Sequence, residues 1–230
     1  LINDIFEETC GARLTMNYNI PGGLMFDILP NFQQSVKDFL THFKTKLPEY
    51  DTLLTNNVIF QKRTKGVGYL SREDAVSFGT SGPVARGSGY SCDVRKHHPY
   101  SAYKDIEFKE VLRTAGDTLA RYEVRIEEMW KSIAIIENLI DNIPEGDYKV
   151  TTKAVIKLPK GEFYQKVETA RGEFGVYVIS TGTKNPYRIK FRSPGFSNLS
   201  ALNKMAIGCK IGDLVAITST LDLVIPDIDR

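Results

Sequence analysis

The residues from Gly116 to Ile143 constrain this chain more than any others. Leu119, Tyr122, Ile126, Met129, Ile133, Ile136, Ile140 and Ile143 follow one another at steps of three or four. They form one apolar stripe along roughly seven turns of helix. Thr114 and Asp117 stand before it as a capping pair, and Pro144 with Gly146 stops it. Val124, Trp130, Ile135 and Leu139 flank the stripe, so the helix is apolar over more than half its circumference. Such a helix is normally wrapped by other elements, and it is expected to be the spine of the fold.

A second line runs along the same helix. Arg121, Arg125, Glu128 and Ser132 recur at four, three and four residues and therefore share a face. Charges at this spacing read either as a solvated ladder, worth a few tenths of a kcal/mol per pair, or as a buried network. Losing one member of a buried network costs roughly 3–5 kcal/mol.

The chain of 230 residues has material for one large domain or two small ones, and a net charge of +2 argues for no strong nucleic-acid field. No apolar run approaches the 18 or so residues of a spanning helix. The chain lacks an initiator Met and reads as an internal start. Cys10, Cys92 and Cys209 are isolated and odd in number, which fits a reducing compartment rather than a disulfide framework.

Around the spine, a helix is expected over 33–47, with Val36, Phe39, Leu40 and Phe43 inward and Pro48 as its limit. A second is expected over 53–63 with Leu54, Val58 and Phe60 inward, and Ser71 caps a short third. Residues 1–30 read as turns around a short apolar segment, and 149–158 as an excursion. Residues 173–180 and 188–191 read as the strands of a small antiparallel hairpin. Two short helices follow, over 196–207 and from 212, before an aliphatic tail, Leu221 to Arg230, that should dock on the body. The expected class is α+β and predominantly helical, in one domain over 1–230. Residues 1–146 would be mainly helical, and 147–230 would hold the hairpin, the short helices and the docked tail.

Four chemical motifs fail. Gly82 and Gly87 have phosphate-loop spacing, but Ser88 stands where the lysine must be and no strand precedes it. Gly66-Val67-Gly68 lacks the third glycine of a dinucleotide fingerprint. No CxxC, HxxxH or HExxH spacing occurs, so no metal site carried by this chain is expected; nor does spacing support a Ser-His-Asp constellation. The glycines of 79–89 then serve close backbone approach.

The residues themselves resemble a known family. Gly11-Ala12-Arg13-Leu14-Thr15-Met16-Asn17-Tyr18, Pro21-Gly22-Gly23, Gly82-Pro83, Arg86, Ser88-Gly89, Asp93-Val94-Arg95 and Pro99-Tyr100 are similar to the D subunit of respiratory NADH:quinone oxidoreductase, complex I. Gly116-Asp117, Ala120-Arg121-Tyr122, Val124-Arg125, Glu128-Met129 and Ser132 continue the likeness along the spine. Arg171-Gly172-Glu173, Gly175, Pro186-Tyr187-Arg188, Arg192, Pro194, Phe196, Asp222 and Asp229-Arg230 complete it. That family is itself similar to the large subunit of nickel–iron hydrogenases, in which a terminal Asp-Pro-Cys-x-x-Cys holds metal. Here Asp222 keeps the aspartate while Val224 and Asp227 stand at the cysteine positions, a set that a soft nickel ion does not suit.

The resemblance implies a C-terminal part of a longer subunit that helps to shape a quinone chamber. Asp222 and Val224 match chamber-lining positions, and Arg121, Arg125 and Glu128 become a partly buried structural network. No residue here is expected to be catalytic, since the family's headgroup-gripping histidine and tyrosine lie upstream, and the fragment alone should be inactive. Quinone is the implied substrate and no cofactor is expected on this chain. The terminal [4Fe–4S] cluster belongs to a neighbouring iron–sulfur subunit, with NADH and FMN elsewhere in the complex. Other peripheral-arm subunits and a membrane-arm subunit at the quinone entrance are the remaining implied partners. The implied place is peripheral, on the cytoplasmic face of a bacterial plasma membrane. Two alternatives stay open: a related complex driven by reduced ferredoxin or a deazaflavin, and a scaffold without quinone chemistry.

Overall fold

The structure, a computed structural model, describes residues 1–153 and 155–229. Ala154 of the expected excursion and Arg230 of the terminal Asp-Arg pair lie outside them. In chain order the elements are α1 (Ile2–Cys10), β1 (Asn19–Ile20), β2 (Gly23–Leu24), α2 (Phe32–Tyr50), a π-turn at Asp51–Thr55, α3 (Val58–Thr64), α4 (Arg72–Ser77), α5 (Gly82–Gly87) and α6 (Val94–His97). A 3-10 turn at Ser101–Lys104, α7 (Thr118–Ile140), β3 (Gly161–Thr169), β4 (Gly172–Ser180) and β5 (Arg188–Arg192) follow. The chain then runs through α8 (Pro194–Ser200), α9 (Leu202–Ala206), α10 (Ile211–Leu221) and α11 (Ile225–Ile228).

The chain forms two compact units, each discontinuous in sequence. The first joins Leu1–Thr52 to Ser132–Lys157. Within it α2 buries Val36, Leu40 and Leu47, Phe39 and Phe43 stack at 5.5 Å, and Gln33 Nε2 donates to the Ile140 carbonyl at 3.1 Å. Pro48 does not end α2 as expected; the helix runs to Tyr50, and the Asp51 N–H returns to the Pro48 carbonyl. Residues 2–10, read as part of a turn region, form a helix instead, closed by Gly11 at φ 73°.

The second unit joins Leu53–Lys131 to Leu158–Arg230. Its core is Leu70, Ala75, Val84, Ala201, Met205, Ile217 and Leu221, with Leu223 of the tail packed against it. Truncating any of the large members to Ala would cost about 2–5 kcal/mol. The helix expected over 53–63 starts late, at Val58. Asn57 adopts an extended backbone and its side chain takes the N–H groups of Ile59 and Phe60, so Leu54 and Val58 are exposed while Thr64 is buried. The expected hairpin is two strands of a three-stranded antiparallel sheet, order β3-β4-β5. The missed strand, β3, pairs with β4 along its whole length, from Gly161↔Ser180 to Thr169↔Gly172. The helix expected over 196–207 is divided into α8 and α9.

The glycine-rich stretch 79–89 contains a helix, α5, in which every residue is buried. Gly82 has φ 64°, and a methyl group there would overlap the Arg171 carbonyl. At Gly87 a Cβ would lie 2.9 Å from Arg121 Cγ. These two glycines let α5 lie directly against α7 and the β3–β4 turn.

The spine helix is shorter than expected at its C-terminal end, and its burial is distributed differently. Asp117 caps it by accepting the Ala120 N–H at 2.8 Å. Ile133 and Ile140 of the apolar stripe are buried, but Leu119, Tyr122, Ile126 and Met129 are half-buried and Ile136 is exposed. In the first half the deepest line is Ala120, Arg121 and Val124. A charged residue displaces the stripe because its guanidinium has carbonyls to serve there.

Candidate functional site

Arg121 is fully buried. It donates to the carbonyls of Gly116 and Gly68 at 3.1 and 3.0 Å, to Thr118 Oγ1 at 3.0 Å and to Thr220 Oγ1 at 3.1 Å. Burial pulls its guanidinium down to about 9, and the neighbouring Arg125 pulls the same way, so it still carries charge at neutral pH. It satisfies the Gly68 carbonyl, adds a second donor to the Gly116 carbonyl that the Leu70 N–H already meets, and ties α7 to α10, two residues before Asp222.

One turn on, Arg125 Nη1 donates to the Arg121 carbonyl at 3.0 Å. Burial lowers its pKa; Asp222 and Glu128 act against that, while Arg86 and Arg171 add to it. Glu128 does not bridge back to either arginine of its own helix by a hydrogen bond. It faces Arg86 of α5, Nη2 to Oε1 2.7 Å, as a close ion pair.

Arg86 organises a charge cluster of its own. At 1% exposure it meets Glu168 of β3 at 2.8 Å, Asp93 at 3.9 Å and Glu128. Burial opposes its charge, but Glu128 and Glu168 outweigh that and raise its pKa. Asp93 caps α6 and holds Arg95 through Nε and Nη2 at 3.0 and 2.7 Å. Arg95 and Arg86 keep Asp93 below the usual carboxylate range despite burial. Glu168 accepts the Val94 N–H at 3.1 Å. Burial raises Glu168 and Glu128 above their ordinary values, partly offset by Arg86. Cys92, beside this cluster, is pushed up to about 12 by burial and is an inert thiol rather than a thiolate.

At the end of α10, Asp222 adopts the left-handed conformation, φ 53° and ψ 53°, and serves as the helix C-cap. Asp is one of the few L-residues that tolerates this region. Arg171, on the β3–β4 turn, grips it twice: Nε donates to the Asp222 carbonyl at 3.0 Å and Nη2 lies 3.4 Å from Oδ1. The carboxylate is partly open, with the side chain 39% exposed. Asp222 is thus an ion-paired acid, held by Arg171 of the β3–β4 turn. Val224, half-buried, offers its carbonyl to the N–H groups of Asp227 and Ile228 at 3.0 and 3.2 Å, and Asp227 is hydrogen bonded to the Ser193 hydroxyl.

Arg125 is thus joined to Arg121, Asp222 to Arg171, and Glu128 to the Arg86 cluster of Asp93, Arg95 and Glu168. Sequence reasoning did not assign Arg86, Glu168 or Arg171 a charge partner. A signal existed for Arg86 alone: a lone charge in a run of glycine, proline, alanine and valine too small to solvate it. An open groove of about 570 Å³, lined by Tyr164, Tyr177, Lys190, Phe191, Arg192 and neighbours, lies on the sheet and includes none of the charge cluster. Ser91, His97 and Glu110 also meet. Ser91 Oγ donates to Glu110 Oε2 at 2.5 Å and contacts His97 Nε2 at 2.8 Å. With the hydroxyl proton committed to Glu110, the imidazole has no proton to remove, so this is a clasp rather than an activated nucleophile. Among the described residues no group of three or more His, Cys, Asp or Glu is arranged to hold a metal ion.

The family model described as the respiratory-chain NADH dehydrogenase 49 kDa subunit matches residues 1–230. The C/D subunit of the Phocaeicola vulgatus NADH-quinone oxidoreductase is 54% identical over 229 residues, covering 100% of this chain and 44% of that protein. The D 2 subunit of the Solibacter usitatus NADH-quinone oxidoreductase is 46% identical over 226 residues, covering 98% and 61%. Among solved structures, a chain of the membrane-bound sulfane sulfur reductase, an archaeal respiratory membrane complex, superposes with a TM-score of 0.94 at 37% identity, covering 99% of this chain and 63% of that one. The chain therefore spans less than two thirds of the length of each of these relatives.

Proposed function

This chain belongs to the respiratory-chain NADH dehydrogenase 49 kDa subunit family, and from that premise we propose that it serves a quinone-reducing complex as one wall of the quinone site. In this reading residues 1–230 are the C-terminal part of a longer subunit, peripheral on the cytoplasmic face of the membrane. A partner's terminal [4Fe–4S] cluster delivers the electrons, and quinone leaves as quinol after taking two electrons and two protons. NADH and FMN act elsewhere in the complex. A neighbouring iron–sulfur subunit and a membrane-arm subunit are the partners that complete the chamber. No helix among the described residues is long and apolar enough to cross a membrane, in keeping with a peripheral place.

The observation that carries the proposal is the geometry of the tail. Asp222 is locked by its own left-handed backbone and by two donors of Arg171, while Leu223 packs into the core. Val224 and Asp222 are thereby fixed as an apolar group and a polar group on one short turn. A quinone needs that combination, an apolar slot with few placed polar groups. The alternative, a related respiratory membrane complex with a different electron donor, draws on the close superposition on the sulfane sulfur reductase chain. A hydrogenase-like ancestry would leave the same fold, but Val224 offers methyl groups and Asp227 is already engaged by Ser193, so the nickel set is not available.

The test is quinone reduction by the assembled complex carrying Asp222→Asn or Val224→Met. Asparagine tolerates the same backbone, so assembly should persist while turnover falls about tenfold or more. The methionine should raise the quinone KM and alter inhibitor sensitivity with little loss of assembly. Wild-type turnover and inhibitor response in both variants would remove the tail from the quinone site.

A further inference from the structure

The last strand of the sheet has a neighbour on one side only. In the order β3-β4-β5, β5 pairs with β4 alone, from Gly175↔Arg192 to Ile179↔Arg188. Among the described residues no strand lies along its other edge, so that row of backbone N–H and C=O groups is open to an added strand. Side chains along a strand alternate between its faces. Arg188, Lys190 and Arg192 therefore share one face of β5, and Ile189 and Phe191 the other. Arg188 and Lys190 are exposed, and Ile189 and Phe191 are each 46% exposed. The groove on the sheet is bordered by consecutive residues from Lys190 to Ser193, so it follows the strand rather than one of its faces.

Charge does not cancel at that edge. The acids of the strands are engaged: Glu162 by the Tyr177 hydroxyl at 2.5 Å, Glu168 by Arg86, and Glu173 by Lys166 and Arg192 at 2.8 and 3.4 Å. Arg188 and Lys190 are left with no ion pair among the described residues. Lysine on an edge strand is a common guard against unwanted pairing, but a guard needs no exposed aliphatic and aromatic side chains on the opposite face. A second copy of β5 laid along this edge would set cations beside cations, which is destabilising. An anionic membrane surface would meet the cations and leave the backbone edge, Ile189 and Phe191 unmet.

We propose that the sheet is completed at β5 by a strand from a neighbouring subunit, an extended segment that alternates acidic and apolar residues. Directly opposed side chains on one face of paired strands stand about 5 Å apart between Cβ atoms. Two carboxylates spaced two residues apart then meet Arg188 and Lys190 on one face, and the apolar residues between and beside them meet Ile189 and Phe191 on the other. Arg192 takes no further acid, since Glu173 and the Gly79 carbonyl already hold it. Main-chain hydrogen bonds supply the attachment, and the two faces select the segment. The inference goes beyond the quinone reading and uses only the part of it that makes this chain a subunit of a larger complex.

The test is zero-length cross-linking of the membrane complex that contains this chain. A water-soluble carbodiimide joins the Lys190 amine to a carboxylate in contact with it as an amide, and mass spectrometry of the digest identifies the acid. The expected product links Lys190 to an Asp or Glu of another subunit, with a second acid two residues away and apolar residues alternating with both. Lys190→Arg should keep the complex assembled and abolish the product, because a guanidinium forms no such amide. A link within this chain or to a second copy overturns the proposal, as does a link to a segment without the alternation, or no link at all. Amide exchange gives an independent reading. Arg188→Glu combined with Lys190→Glu should speed exchange at residues 188–191 by about tenfold or more over the unaltered complex; unchanged exchange overturns the added strand. If that pair of changes prevents assembly, Lys190→Gln replaces it, with about a threefold rise expected and no rise overturning the proposal. Protection that is lost on removing lipid, with no cross-link formed, assigns the cations to the membrane surface and overturns the strand. Neither measurement reads quinone chemistry. Normal turnover in Asp222→Asn removes the quinone wall and leaves the cross-link standing, while a missing cross-link leaves the turnover result standing.

Discussion

An arginine only 1% exposed, as Arg86 is, must be neutralised where it stands, because its charge has no water to return to. Glu168, Glu128 and Asp93 do this, but they do not respond to pH alike. Asp93 is held below its ordinary range by Arg95 and Arg86, so its contribution is present above that range and is lost as pH falls. Burial raises Glu128 and Glu168. For these the folded state binds protons more tightly than the unfolded chain, so their contribution is present below the ordinary value of 4.5 and is lost as pH rises through the folded value. Removing the cation sharpens this. Arg86→Met should lower the unfolding free energy of the full subunit by about 3–5 kcal/mol, with the loss growing as pH rises and the stranded carboxyls ionise. Urea unfolding across pH 5 to 8 measures it. A pH-independent loss would mean that Arg86 acts by packing alone.

At the scale of elements, contact between α5 and the β3–β4 turn positions both the Arg86 cluster and Arg171. Ser81 Oγ accepts the Glu173 N–H at 3.1 Å, and Asn198 Oδ1 accepts the Ser81 N–H at 3.1 Å, so α5, the sheet and α8 meet within one turn. Gly82→Ala should break this junction. A non-glycine at φ 64° costs about 1–3 kcal/mol before any overlap, and the added methyl group falls on the Arg171 carbonyl. Gly11→Ala, at φ 73° with open space around it, is the control and should lose only the backbone part. Equal losses in thermal unfolding would place the junction elsewhere. The same elements show what a sequence discloses and what it withholds. Ser71 and Asp117 announce α4 and α7 because a cap is a local hydrogen bond, readable within a few residues. β4 and β5 are legible from Val, Ile, Tyr and Phe. β3 is not, because Gly161–Thr169 carries Glu, Gln and Lys and becomes a strand only by pairing with β4. The charge line Arg121, Arg125, Glu128 is legible as a line, but its partners are not. Arg86, Glu168 and Thr220 are far from it along the chain, Thr220 being 99 residues beyond Arg121, and no periodicity records a contact at that range.

For the molecule as a whole the tail matters most, because the proposed site lies on residues that follow the last long helix. After α10 the chain has one turn, Asp222 to Val224, and one short helix, α11. A four-residue helix has no stability of its own, so Ile225–Ile228 must be pinned. Arg171 holds its entry at Asp222, and the pin at its far end is the hydrogen bond between Ser193 and Asp227. Hydrogen-bonding to a carboxylate in a half-buried place contributes about 1.5–3 kcal/mol, and local opening of a terminal element is governed by such contributions. Ser193→Ala should therefore raise amide exchange across residues 225–229 by about ten- to a hundredfold, at about 1.4 kcal/mol per factor of ten in an equilibrium constant, while amides of α7 and β4 keep their protection. Ser193 also caps α8 through the Phe196 N–H at 3.4 Å, so exchange in α8 separates the two roles. If α8 loosens and the tail does not, the cap is the only function of Ser193. If the tail loosens with α8 intact, Asp227 is a structural peg at the position where the hydrogenase resemblance places a metal-binding cysteine, and the quinone KM of the same variant should rise because Val224 is no longer held.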